Sequence, residues 1–326
     1  MKTIALDKYT SFQCLAGACT STCCAGWSIL IDEKDYRRFE NMEPEWLRED
    51  VLTNVQKRGS QYYFRNDAKG RCAMLDEDGL CRIQRNTSEE MLCNTCRKYP
   101  RLVNSIGEKL YLSMAASCPV ISEYLVTEET GWLLFDDSGK GKGISLRDVK
   151  LVSDAWSVYR EYQKAAKVLQ RENENKAILY ACFERMTAGI LDIVLKYQDK
   201  TLSIDAFQVM EEDISVELEG FLQTTQSFWE TVVENYMQYR ILSRKMEFPE
   251  EADNACVRRA LGELFLLRTL AFCRYGREGA FSEKELPQLL QKVYRFSAHG
   301  KKVAEAFQKF VDAFFSQDIL WNYVLL

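Results

Sequence analysis

The crowding of sulfur near the N-terminus constrains this chain more than any other feature. Cys14, Cys19, Cys23 and Cys24 fall close together, and Cys72, Cys81, Cys93, Cys96 and Cys118 follow at wider intervals. Thiols packed this densely either pair as disulfides or hold soft metal, because sulfur is the side-chain donor best matched to zinc and iron. The opening residues, Met1 to Lys8, lack the apolar stretch of a secretory signal, and no apolar run is long enough to span a membrane. A reducing cytoplasm is therefore the expected compartment. There, dense cysteines serve metal or redox chemistry more often than structural disulfides.

Charge adds little. The net charge of −5 is mild, and the acidic excess falls after the cysteine-rich part, so no general affinity for nucleic acid or membrane is expected. The cysteine-rich part is punctuated by Gly26, Gly59, Gly70, Gly79 and Gly107. Trp27–Ile31 reads as a strand or an extended segment covering a metal site, and Asp32 as the N-cap of a helix. Asp76-Glu77-Asp78-Gly79 reads as a solvated turn, without the spaced ligands of a calcium loop. The polar stretch Asp136–Gly143 is the best linker or surface loop. It lacks the Gly-Lys-Ser/Thr ending of a phosphate loop.

From about Val149 onward apolar residues recur at helical spacing: Leu151, Ala155, Val158, Tyr159 and Tyr162, then Ile178, Leu179, Cys182, Met186, Ile190 and Val194. Similar stripes cover 212–245, 253–275, 283–297 and 300–325, with breaks at Pro249 and at the Gly276/Gly279 pair. Cys182, Cys256 and Cys273 sit singly in such stripes and read as small buried hydrophobes. The expected architecture is mainly α. An irregular cysteine-rich, metal-binding N-terminal region (residues 1–135) packs on a C-terminal α-helical bundle (residues 149–326).

Histidine narrows the chemistry by its scarcity. His299 is the sole imidazole, which excludes mixed Cys/His zinc fingers and two-histidine iron sites. An all-cysteine site remains, holding either zinc or an iron–sulfur cluster. Adjacent Cys23 and Cys24 diverge too far to chelate one ion together easily. Cys93-x2-Cys96 resembles half of a zinc knuckle, but no second pair matches its spacing.

The ordered motifs resemble the flagellin lysine-N-methylases. The resemblance rests on Phe12-Gln13-Cys14 with Cys19 to Ile29, on Cys72-Ala73-Met74-Leu75 through Cys81-Arg82-Ile83-Gln84, and on Thr95-Cys96-Arg97-Lys98-Tyr99-Pro100-Arg101. Ser117-Cys118-Pro119, Glu234-Asn235-Tyr236 and Phe248-Pro249 extend it. It implies a cytoplasmic enzyme that moves methyl groups from S-adenosylmethionine to lysine ε-amines of a protein substrate, flagellin or a similar lysine-rich protein. It also implies an iron–sulfur cluster of the four-iron type (4Fe-4S). Ligand candidacy passes to Cys14, Cys19, Cys23, Cys24, Cys72, Cys81, Cys96 and Cys118, without choosing four among them. Two positions depart from the pattern: Ala73 replaces a common proline, and Cys93 is additional.

Arg97, Tyr99 and Arg101 follow a candidate ligand directly and are nominated to bind substrate or donor, since arginine forks onto carboxylates. Surface ion pairs are the plainer reading of both arginines. Glu234, which interrupts an apolar helical run, and His299 are the candidate bases; ordinary helix and packing roles stand against them. The CxxxCxxC signature of radical enzymes using the same donor is absent. The competing class is a non-catalytic zinc or iron–sulfur scaffold, or an electron-transfer protein.

Overall fold

A computed structural model describes residues 2–19, 21–136, 138–170, 176–207 and 214–315. Strand β1 (Lys2–Leu6) leads through one helical turn, α1 (Lys8–Ser11), into the cysteine-rich stretch. There follow β2 (Leu30–Ile31), α2 (Glu33–Glu40), α3 (Glu45–Thr53), the hairpin β3 (Val55–Arg58) and β4 (Gln61–Phe64), and two short helices, α4 (Arg82–Asn86) and α5 (Asn94–Lys98). A second hairpin, β5 (Arg101–Ile106) and β6 (Lys109–Met114), precedes α6 (Pro119–Thr127). A third pairs β7 (Trp132–Phe135) with β8 (Gly141–Gly143). Long helices then succeed one another: α7 (Ser153–Gln170), α8 (Lys176–Tyr197), α9 (Ile214–Glu247), α10 (Asp253–Glu278), α11 (Leu286–Ala298) and α12 (Lys301–Phe314).

Two compact units emerge. One gathers Phe12–Leu102 with Cys118–Val120; the other gathers Met1–Ser11, Val103–Ser117 and Ile121–Leu326. The second unit thus takes in strands as well as the helices from 149 onward. In the cysteine-rich unit the strands run in the order β2-β4-β3. Its core is built from Ile29, Ile31, Phe39, Leu47, Val51 and Phe64. Asp32 caps α2 as expected, its Oδ1 accepting from the Asp35 N–H at 2.8 Å. Of Trp27–Ile31, only Leu30 and Ile31 are strand.

In the second unit the strands run β5-β6-β1-β7-β8, with β1 parallel to β6 and antiparallel to β7. The chain is mainly helical with a C-terminal bundle, as expected, but its first 143 residues carry two sheets where irregular backbone was expected. The reason is physical. Ile4, Ala5 and Leu6 of β1 are buried, yet the strand's partners lie more than a hundred residues away, so local pattern does not announce it. The stretch Asp136–Gly143 is an exposed hairpin arm and not an interdomain linker; Asp136 Oδ1 accepts from the N–H groups of Ser138 and Lys140. Asp137 lies outside the described residues.

Among the helices, α10 is buried on every side from Arg259 to Cys273, charged residues included, and its neighbours pack all round it. Gly262 lets α12 approach it: a Cβ there would stand 2.5 Å from Val311 Cγ2. The helix continues through Gly276 and stops at Gly279, whose φ of +69° forms a left-handed C-cap. Cys182, Cys256 and Cys273 are buried as expected. The side chain of Ile178, and residues 212–213 and 316–325 of the predicted helical segments, lie outside the described residues. No helix among the described residues is long and apolar enough to cross a membrane.

A charged cluster sits inside this helical packing. Glu263 of α10 accepts from Arg240 Nε at 2.7 Å, Arg240 Nη2 at 3.0 Å, Arg259 Nε at 3.2 Å and the Tyr236 hydroxyl at 2.9 Å. All four side chains are essentially without solvent contact. Burial opposes the Glu263 charge, but the Arg240 guanidinium outweighs it and holds the carboxyl at about 2.

Candidate functional site

The cysteine-rich unit brings its thiols together by a few polar clamps. Cys24 and Cys72 are joined through the backbone, the Cys72 N–H donating to the Cys24 carbonyl at 2.6 Å. Arg82, next to Cys81, forks onto Asp50 of α3 at 2.7 and 2.9 Å. Asp35 is buried and reaches the Cys93-x2-Cys96 turn: its Oδ2 accepts from the Asn94 N–H at 2.6 Å, while Oδ1 holds Arg38. Arg38 also donates to the Leu92 carbonyl, and Thr95 Oγ1 donates to the Leu30 carbonyl of β2. None of these supports was nominated from sequence. Asp32, the N-cap that starts the helix carrying Asp35, was the one available signal.

Seven thiols line a single pocket of this unit: Cys14, Cys19, Cys23, Cys24, Cys81, Cys96 and Cys118. The cavity volume is about 130 Å³. Arg97, Tyr99 and Arg101, the residues nominated for binding, line it too, as do Phe12, Trp27 and Glu89. The Trp27 and Tyr99 ring centroids lie 6.1 Å apart with the planes tilted by 41°, and the Arg101 guanidinium lies over Phe12 at 5.2 Å. Cys72 and Cys93 do not line the pocket. They are buried in the adjoining core, against which Cys24, Cys81 and Cys96 also pack.

The sulfurs influence one another. Cys93 and Cys96 Sγ stand 3.5 Å apart and share one S–H, which holds Cys93 below the ordinary thiol value and pushes Cys96 up. The Cys23 S–H likewise lowers Cys24 to about 7 and is itself raised by that bond. Burial pushes Cys72 up to about 12 and raises Cys81. Backbone amides also point at sulfur: Met74 N–H at Cys72, Ile83 and Gln84 N–H at Cys81, and Thr95 and Cys96 N–H at Cys93. Such donors favour the thiolate over the thiol. This donor set suits an all-cysteine site. As placed, however, no three Cys, His, Asp or Glu side chains among the described residues are close enough to hold a metal ion.

The acidic turn beside Cys81 is not simply solvated. Arg85 bridges Asp76 and Asp78 at 3.0 and 2.9 Å, and the turn packs against Gly17, between Cys14 and Cys19. Glu234 and His299 belong to the other unit. Glu234 is held by Arg160 at 3.3 Å, with Gln163 and Tyr159 donating to the same carboxylate. Asn235, its neighbour, pins the α6–β7 connection by donating to the Glu128 carbonyl and accepting from the Thr130 N–H. His299 follows α11, and burial together with Arg295 lowers it to about 4. Thr20, in the first cysteine motif, lies outside the described residues.

No family model matches the chain, and no solved structure does. Curated relatives do. The flagellar biosynthetic protein FliU of Salmonella muenchen is 25% identical over 154 residues, covering 46% of this chain and 91% of the relative. Lysine-N-methylases of Salmonella typhimurium and Salmonella choleraesuis are 27% and 28% identical over 124 residues. That match spans 36% of this chain and 31% of each lysine-N-methylase, so the chain aligns with about a third of their length. Over the aligned segment the chain is similar to the lysine-N-methylases.

Proposed function

We propose that this chain is a protein-lysine methyltransferase, moving methyl groups from S-adenosylmethionine to lysine ε-amines of flagellin or a similar lysine-rich protein. The observation that carries the reading is the composition of one pocket. It gathers seven thiols, two neighbouring aromatic rings, two arginines and a carboxylate around a small cavity. Kinship with the lysine-N-methylases supports it. At about 130 Å³ the cavity is well below the roughly 300 Å³ that encloses a drug-sized ligand, so it suits an extended lysine side chain or the methionine end of the donor, not a whole nucleoside.

The chemistry assigns roles to these residues. An exposed lysine is protonated at neutral pH, so the amine must lose a proton before it can attack. Its lone pair then forms the C–N bond as the methyl carbon leaves the sulfonium, the C–S electron pair staying on sulfur. Trp27 and Tyr99 offer ring faces to the cationic ammonium and sulfonium. Arg97 and Arg101 suit the donor's carboxylate. Glu89 is the pocket carboxylate suited to accept the lysine proton; Glu234 and His299 are the alternatives from the other unit. A four-iron cluster held by cysteines of this pocket would supply an iron able to take the donor's amino and carboxylate groups.

The test is anaerobic incubation of iron-loaded protein with methyl-labelled S-adenosylmethionine and flagellin, reading labelled lysines by peptide mass spectrometry. Label is expected, with Trp27→Ala and Arg97→Gln reducing it. Iron-loaded protein that labels no lysine refutes the reading and favours the non-catalytic scaffold. Rate–pH profiles of Glu89→Gln, Glu234→Gln and His299→Gln then identify the base: its variant alone loses the acidic limb.

A further inference from the structure

Strand β3 is an edge of its sheet, paired among the described residues with β4 alone. The Arg65 N–H donates to the Asn54 carbonyl, so by antiparallel alternation Asn54/Arg65, Gln56/Tyr63 and Arg58/Gln61 are the bonded pairs of this ladder. The Phe64 N–H turns the opposite way, to the Ile29 carbonyl. The N–H and carbonyl groups of Val55 and Lys57 therefore point out of the sheet edge, and no described residue bonds to them. An edge of this kind is a template for one more strand.

The side chains around that edge are strongly one-signed. Residues 54–72 hold five basic side chains and one carboxylate, in a chain whose net charge is −5. Asp67 is taken by Arg71 at 2.9 Å; Lys57, Arg58, Arg65 and Lys69 are exposed and form no ion pair among the described residues. Arg58 and Arg65 share one face of the sheet with Tyr63, whose ring Arg58 covers at 5.3 Å. Lys57 stands on the opposite face over Tyr62 at 5.2 Å, and Tyr62 stacks on Tyr36 at 4.0 Å. Rings thus hold a cation on each face of the edge. Charged side chains also keep like edges from pairing, for which Lys57 alone would suffice. The unpaired cations exceed that need.

We infer that β3 is a docking edge for an acidic, extended segment of a partner protein, which adds as one more strand beside Val55–Arg58. Its backbone takes up the outward groups of Val55 and Lys57. Carboxylates at consecutive positions then face Lys57 on one side of the sheet and Arg58 on the other. Arg65 and Lys69 strengthen the attraction at longer range. The outward backbone groups favour a peptide over a nucleic acid strand, which would leave them unpaired and would find the Tyr63 ring already covered by Arg58. The same charge repels a lysine-rich segment, so this edge is not where a target lysine binds.

The inference does not depend on methyl transfer or on metal, and the experiment reads neither. The purified chain is titrated against fluorescent peptides built of Thr-Glu-Glu-Val repeats, against the same peptides with lysine in place of glutamate, and against a single-stranded oligothymidylate, with anisotropy as the readout. The acidic peptide should bind saturably, and more weakly as salt rises. Lys57→Glu and Arg58→Glu should each weaken it about tenfold or more. Lys57→Pro, which lacks the outward N–H as well as the charge, should bind more weakly than Lys57→Gln. Because the proline variant can disturb the hairpin, hydrogen exchange of the parent protein is followed too, and the acidic peptide should slow exchange across residues 54–58. No binding of the acidic peptide, equal binding of the basic one, unchanged affinity in Arg58→Glu, tighter binding of the oligothymidylate, or unchanged exchange across residues 54–58 overturns the inference. Absence of methyl label bears only on the proposed function.

Discussion

Replacing Glu263 by glutamine tests whether the helical unit depends on its buried charge cluster. The carboxylate accepts from the Tyr236 hydroxyl and from three guanidinium nitrogens, Arg240 Nε and Nη2 and Arg259 Nε. Arg259 keeps other acceptors when Glu263 is neutralised, the Ala304 carbonyl at 2.8 Å and Gln308 Oε1 at 3.2 Å. Arg240 is left worse placed, because among the described residues Glu263 is its ion-pair partner and Nη1 has no hydrogen-bond partner. Breaking a buried pair by removing one partner costs about 3–5 kcal/mol. Glu263→Gln should lose stability in that range, a large share of the ~5–15 kcal/mol available to a domain. The double replacement Arg240→Met with Glu263→Leu should recover most of it, since apolar residues of similar size often substitute for such a pair without loss. Urea unfolding followed by circular dichroism measures both. A single variant within 1 kcal/mol of the parent, or a double variant as unstable as the two singles added, would refute the reasoning. The pH dependence follows from the same carboxyl. Its folded value, about 2, lies below the ordinary 4.5, so the folded state binds the proton less readily. The stabilisation that the carboxylate contributes is complete above pH 4.5 and drains as pH falls towards 2.

Other outcomes follow from single contacts. Gly262→Ala should cost about 1–3 kcal/mol by forcing α12 from α10, and adding Val311→Ala should return part of the loss in a thermal melt. Asn235→Ala leaves the Thr130 N–H and Glu128 carbonyl unpaired and should cost about 1–3 kcal/mol, read by urea midpoint. Asp35→Ala removes the acceptor holding the Asn94 N–H and should speed alkylation of Cys93 in metal-free protein; an unchanged rate would show that the clamp does not protect that turn.

The helical half was legible because its apolar stripes repeat at a period that local sequence displays. Glu234, one of the bases nominated there, shows what a single sequence conceals: Glu234-Asn235-Tyr236 reads as one motif, yet each residue turns to a different partner, Arg160, the α6–β7 connection and Glu263. The sheet through β1 was not legible, since its neighbours β6 and β7 are remote in sequence. Of the nine N-terminal thiols the pocket gathers seven, with Arg97, Tyr99 and Arg101 beside them. Cys93, additional to the resemblance, lies buried in the adjoining core beside Cys96. Asp35, Arg38, Asp50 and Arg82 carry no motif at all, because a supporting ion pair has no sequence spacing of its own.

Cys118 joins the cysteine-rich unit although the chain between Val103 and Ser117 belongs to the other. That detour sets an order of events on the ribosome. The other eight cysteines emerge early, but the pocket's last sulfur arrives only after a full β-hairpin has been synthesised. Until then the pocket lacks one of its seven thiols, so its lining is completed late, by a residue that follows a strand pair of the other unit.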